Sequence, residues 1–206
     1  MGCDIHVMIE KMESGRWLNV DNWRINPYKK DGDDEPDMVL IPIYEERNYE
    51  LFSFLAGVRN YGGNPSFDFD RGIPANAHEA TRREYERWGE DAHTPGYATL
   101  AELKEKIATV KTVRRSGAVT KEQAEKYRTD GEDPSSWCQG VGCWHGISPE
   151  YEDRYEWLSW FVEPTSFKKL INAIEERKRD VFWIFDPADD DGSLDALIRI
   201  VFWFDN

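Results

Sequence analysis

The sequence predicts an α+β fold: a mostly antiparallel sheet containing both terminal strands, with helices packed on one face. Three observations carry this. Near the start, Asp4, His6 and Met8 fall on one face of an extended chain and Ile5, Val7 and Ile9 on the other. The ending alternates in the same way, with Arg199, Val201, Trp203 and Asp205 set against Ile198, Ile200, Phe202 and Phe204. Between the ends, Leu51, Phe52, Leu55 and Val58 repeat at helical spacing within 48–60, as do Phe167, Leu170, Ile171 and Ile174 within 166–179.

The remaining elements follow in order. Glu13-Ser14-Gly15-Arg16 reads as a turn, and 17–23 as a second strand hairpinned to the first. The acidic run over 28–37 reads as a solvated loop, since it lacks the spacing of a calcium loop. The helix over 48–60 has Asn48 as its cap and Gly62 as its stop, with Arg47 and Arg59 at its ends. A Gly- and Pro-rich loop follows, ending in Arg71-Gly72-Ile73-Pro74. Asn76 with Glu79, Thr99 with Glu102, and Thr120 with Gln123 have the spacing of capping boxes and predict three helices, the first reaching Trp88. Residues 110–119 read as a small hairpin turned at Ser116-Gly117, and the aromatic run over 151–161 as a helix that Pro164 ends. Residues 181–185 and 197–205 read as a closing hairpin. The chain is expected to form one domain over 1–206, with 104–147 as a peripheral insertion.

Composition narrows the function. Nine Trp among 206 residues supply ample core. Lys and Arg total 26 against 40 Asp and Glu, and the resulting charge of −14 repels a nucleic-acid polymer. No apolar run approaches the roughly 18 residues of a membrane span. Three cysteines without a signal peptide predict reduced thiols and a cytoplasmic setting.

Met-Gly-Cys-Asp-Ile-His at the start and Phe-Trp-Phe-Asp-Asn at the end resemble a family of small phage and prophage proteins of unassigned function. The likeness extends through Arg47-Asn48-Tyr49-Glu50-Leu51-Phe52, Val58-Arg59-Asn60, Arg71-Gly72-Ile73-Pro74 and His93 to Leu103, and runs out between Lys104 and Asp180. The resemblance implies a phage-type origin, hence the cytoplasm of an infected bacterial host, and carries no catalytic residues.

Several residues could carry chemistry. Asp4 and His6, two apart on one strand face, suit a divalent metal such as Zn, Mn or Mg, and with His93 they are the catalytic candidates. Asp-x-His on a first strand is also how metallophosphoesterases begin, but that family's later Gly-Asp and Gly-Asn-His motifs are missing. Arg59 and Arg71 offer forked donors to a phosphate, and Trp203 and Asp205 join Asp4 and His6 if the last strand pairs near the first. Cys138, Cys143 and His145 form a further metal-ligand set, looser than a standard zinc unit. The competing account of each is structural: an imidazole ordered by a neighbouring carboxylate, surface ion pairs, and packing thiols.

Three functions stay open at this stage. The first is a binder that sequesters a phosphorylated small molecule, such as a nucleotide defence signal, in a composite pocket where the polar sheet face of Asp4, His6, Trp203 and Asp205 is completed by Arg59 and by the loops of Arg71 and His93. The second is a metal-dependent phosphoesterase using Asp4 and His6. The third is an acidic decoy for a host protein. Homo-oligomer formation is left open.

Overall fold

The computed structural model describes residues 2–205, and in it the first and last strands are neighbours. Met1 and Asn206, the outer letters of the two terminal motifs, lie outside the described residues. Strand β1 (Ile5–Glu13) turns at Ser14 and Gly15, both at positive φ (50° and 79°), and β2 (Arg16–Asn19) returns along it. Two left-handed residues match the twist of a tight hairpin. The single strand expected over 17–23 is broken, because Asp21 turns its carboxylate back to accept the Ile9 N–H at 3.0 Å. A separate ribbon then forms from β3 (Asn22–Ile25) and β4 (Met38–Ile41).

Helix α1 (Tyr49–Ala56) buries Leu51, Phe52, Phe54 and Leu55. It ends well before Gly62, because Gly57 takes φ +69° and donates its N–H to the Ser53 carbonyl. Helix α2 (Glu79–Trp88) is capped by His78, whose Nδ1 accepts the Ala80 N–H at 3.2 Å. Asn76, the expected cap, instead accepts from Arg199 at 3.0 Å. Strand β5 (His93–Thr99) leads into α3 (Leu100–Thr109) through the predicted capping box: Thr99 Oγ1 accepts the Glu102 N–H, and Glu102 accepts the Thr99 N–H at 2.8 Å. Strand β6 (Val113–Thr120) is followed by α4 (Lys121–Asp130), with Thr120 as the cap that sequence spacing indicated.

The second half departs further from expectation. After the short parallel pair β7 (Gly140–Val141) and β8 (Gly146–Ile147), the aromatic run forms strand β9 (Tyr155–Val162), not a helix. Leu158 and Trp160 are buried at a spacing of two, and Tyr, Trp, Phe and Val suit a pleated surface. β9 pairs with the whole of β6, from Val113↔Val162 to Thr120↔Tyr155, so Ser116 and Gly117 lie mid-strand and the expected hairpin there does not form. Helix α5 (Lys168–Phe182) extends through part of the expected strand at 181–185, and β10 (Ile198–Phe204) pairs elsewhere, so there is no closing hairpin.

The chain divides into two compact units. One gathers Phe67–Thr109 with the chain up to Asn48 and from Ser166 onward; the other gathers Tyr49–Ser66 and Val110–Thr165, and so takes in 110–147 of the stretch expected as an insertion but not 104–109. The first unit holds the antiparallel sheet β2-β1-β10-β5. Ile5↔Phe204, Val7↔Phe202 and Ile9↔Ile200 share one face, and His6↔Trp203, Met8↔Val201 and Glu10↔Arg199 the other. Gly96 of β5 is required by close approach: a Cβ there would meet the Phe69 carbonyl oxygen at 2.1 Å. Helix α2 lies over the His6 face through Thr81, Tyr85 and Trp88. Its start is seated by Glu10, which accepts the His78 N–H and the Thr81 hydroxyl at 2.7 Å each.

The second unit is built on the β6–β9 ribbon, with Val119, Ala124, Leu158 and Trp160 as its core and Tyr127 and Val162 packed against them. Among the described residues no helix is long and apolar enough to cross a membrane.

Candidate functional site

The terminal strands bring together four of the residues singled out in the sequence. Because β1 and β10 are antiparallel neighbours, Asp205 lies beside Asp4: it accepts the Asp4 N–H at 3.0 Å and places its other oxygen 3.1 Å from His6 Nε2. A carboxylate at that distance selects the tautomer with the proton on Nε2, leaving Nδ1 as the acceptor of a neutral ring. The imidazole is held between Trp88, 4.0 Å between ring centroids, and Trp203 at 5.6 Å. Trp203 is itself fully buried and meets Tyr85 edge-on. His6 keeps about a fifth of its side chain exposed. Asp4 turns to a different partner, taking a two-point contact from Arg47 through Nε and, at 2.8 Å, Nη2. The Arg47 guanidinium holds the Asp4 carboxyl below the ordinary carboxylate range, against a smaller opposing effect of burial. Arg47 stood in the sequence only as a helix-flanking residue, and nothing local pairs it with Asp4, 43 positions away.

Three other candidates go elsewhere. Arg71 donates to Glu102 at 2.9 Å and lies over the rings of Phe69 and Tyr97, 5.0 Å from each centroid. Glu102 thus serves both the α3 cap and Arg71. His93 pairs in register with Phe204 and stacks on its ring at 5.9 Å, which places it on the opposite sheet face from His6 and Trp203. Its Nδ1 faces the Thr94 hydroxyl at 2.9 Å. Arg59 belongs to the second unit, where it donates to the Tyr61 hydroxyl. The composite pocket of Asp4, His6, Arg71 and His93 is therefore not assembled.

The metal sets do not converge either. Among the described residues no group of three or more His, Cys, Asp and Glu side chains is placed to hold a metal ion. Asp4 and His6 are engaged by different partners, and the Cys138 and Cys143 thiols lie against the carbonyls of Gly140 and His145 at 3.4 and 3.3 Å.

His145 contributes to another feature that the sequence reading missed. The second unit carries a cleft of about 490 Å³ lined by Lys121, His145, Gly146, Ile147, Glu152, Tyr155, Glu156 and Trp157. Strand β9 sends Tyr155 and Trp157 to the same side, and His145 stacks on Trp157 with centroids 5.1 Å apart and planes 19° apart. Lys121, the first residue of α4, is the one lysine of the lining, and its backbone N–H is held by the Arg154 carbonyl at 3.0 Å. The alternation of residues 155–161 was the signal that could have located this aromatic wall.

These features describe an α+β protein with a small-molecule-sized cleft in one unit and a carboxylate-bound histidine in the other. No protein-family model, curated protein or solved structure matches the chain.

Proposed function

We propose that the protein is a phage accessory protein that binds a phosphorylated small molecule of the nucleotide class and sequesters it, with the cleft of the second unit as the seat. The observation that carries this reading is the cleft itself, whose volume falls within the roughly 300–1,000 Å³ of small-molecule sites. Its lining has the chemistry such a ligand needs. Trp157, Tyr155 and His145 offer ring faces to a base, Lys121 a cation to phosphate, and Glu152 an acceptor for sugar hydroxyls. One lysine beside Glu152, with Glu156 already paired to Arg128 at 2.8 Å, suits a monophosphate or cyclic phosphate better than a triphosphate, whose extra charge would meet Glu152. In an infected cell, withdrawal of a nucleotide signal would disarm the response it triggers.

The test is incubation of the purified chain with linear and cyclic nucleotides, followed by thermal unfolding and chromatography of the denatured mixture. A raised midpoint with ligand recovered intact supports sequestration. No shift with any nucleotide removes the reading. The His6–Asp205 contact favours a second one, a phosphoesterase in which His6 moves a proton at the substrate. It predicts chemically converted ligand, lost in His6→Ala.

A further inference from the structure

Helix α5 ends in a turn that sets two large rings in solvent. Trp183 is 76% exposed and sits at φ +60°, the position where glycine commonly ends a helix, and Phe185 is 88% exposed. Their ring centroids are 6.5 Å apart. The turn that presents them is closed by the Ile184 N–H donating to the Arg179 carbonyl at 2.9 Å, and the chain beyond it is tied down. Lys178, fully buried, donates to Asp190 at 2.6 Å and also to Asp195, Asp186 accepts the Ala188 N–H at 2.9 Å, and Asp191 accepts the Ser193 N–H at 2.9 Å. Exposed carboxylates of Asp180, Asp186, Asp189 and Asp191 occupy the same stretch of chain.

Paired exposed aromatics on a rigid support are the usual anchors of a protein contact, and charge decides what fits them. A second copy would bring −14 against −14, and nucleic acid and anionic lipid carry the same sign. An arginine-bearing segment answers both features, its flat guanidinium stacking on the rings while its charge meets the carboxylates. We propose that Trp183 and Phe185, with Asp180, Asp186, Asp189 and Asp191, form a docking surface for an arginine-rich segment of another protein. Such segments are what many proteins use to hold nucleic acid, so occupation here would compete with that task.

The test is fluorescence anisotropy of a labelled synthetic peptide alternating arginine and leucine, titrated with the full chain at low and physiological salt. The expected result is salt-sensitive binding, weakened about tenfold or more by Trp183→Ala with Phe185→Ala. Asp186→Asn with Asp189→Asn and Asp191→Asn should flatten the salt dependence. Asp31→Asn with Asp33→Asn and Asp34→Asn, in the acidic loop, should change affinity by no more than about twofold. Unchanged circular dichroism and melting of each variant establish that it folds. Absent binding, equal binding by the ring variant, or an equal loss in the acidic-loop variant would overturn the proposal. So would ring-dependent self-association in sedimentation, which would make a second copy the occupant.

Discussion

Glu10 and Arg199 face each other across the two central strands with guanidinium and carboxylate 2.7 Å apart, and neither side chain meets appreciable solvent. Burial pulls the Arg199 guanidinium below its usual range, and the hydrogen bonds and charge of Glu10 oppose this. The other Glu10 oxygen seats the start of α2, so one carboxylate joins sheet to helix. Glu10→Ala leaves a buried cation unpaired, and the expected loss is about 3–5 kcal/mol in urea unfolding. A loss below about 1 kcal/mol would show that water takes the place of Glu10.

Asp21 makes stability depend on pH. Burial pushes its carboxyl from 3.8 up to about 7, against the hydrogen bonds from Ile9 and Asn19 and the charge of Arg177, and with that of Glu10. The folded state therefore holds this proton more tightly than the unfolded chain. The stabilisation is fully present below about pH 4, and is lost as pH rises through about 7. The difference in unfolding free energy between wild type and Asp21→Asn should fall across that window, at a rate limited to about 1.4 kcal/mol per pH unit. Parallel curves for the two proteins from pH 4 to 8 would contradict this assignment.

The Asp4–Arg47 contact is half exposed and contributes little to stability, on the order of 0–1 kcal/mol. Its effect should appear in titration. In Arg47→Ala the Asp4 carboxyl should return toward the ordinary range, read from its carboxyl carbon resonance against pH. An unmoved titration would mean that Arg47 does not hold the carboxylate in solution.

The cleft gives a prediction about affinity. Trp157→Ala should weaken nucleotide binding about tenfold or more, in line with the roughly 1–3 kcal/mol of a base stacked on an aromatic ring. Lys121→Ala should weaken phosphorylated ligands and leave the corresponding nucleoside unchanged. Trp157 and Lys121 both line the cleft at its surface, so calorimetry can be run on folded variants.

Much of the sheet was legible because period-two alternation survives in local sequence. His6 and Trp203 share a face as the alternation required, and Asp205 reaches both the His6 ring and the Asp4 N–H because the end strands pair. The Thr99–Glu102 box was legible for the same local reason. Other features depend on distant residues. Glu10 meets Thr81 71 positions away, and no local pattern shows that α2 covers the polar face that was expected to hold ligand. Arg71, read as a hydrogen-bond donor to phosphate, pairs with Glu102, 31 positions away, which its own neighbours in sequence do not show. Residues 151–161 were misread because aromatic side chains recur there at both periods, and pairing with β6 decides between them.

Four of the nine tryptophans mark these surfaces separately: Trp157 the cleft, Trp88 and Trp203 the flanks of His6, and Trp183 the exposed turn. The most direct test of the central claim is a two-dimensional nitrogen–proton spectrum of the indole N–H groups during titration with a nucleoside monophosphate, assigned by single Trp→Phe variants. The account predicts a saturable shift of the Trp157 signal with Trp88, Trp203 and Trp183 unmoved. A shift confined to Trp88 and Trp203 would place the ligand at His6 instead, and no shift at all would contradict nucleotide binding.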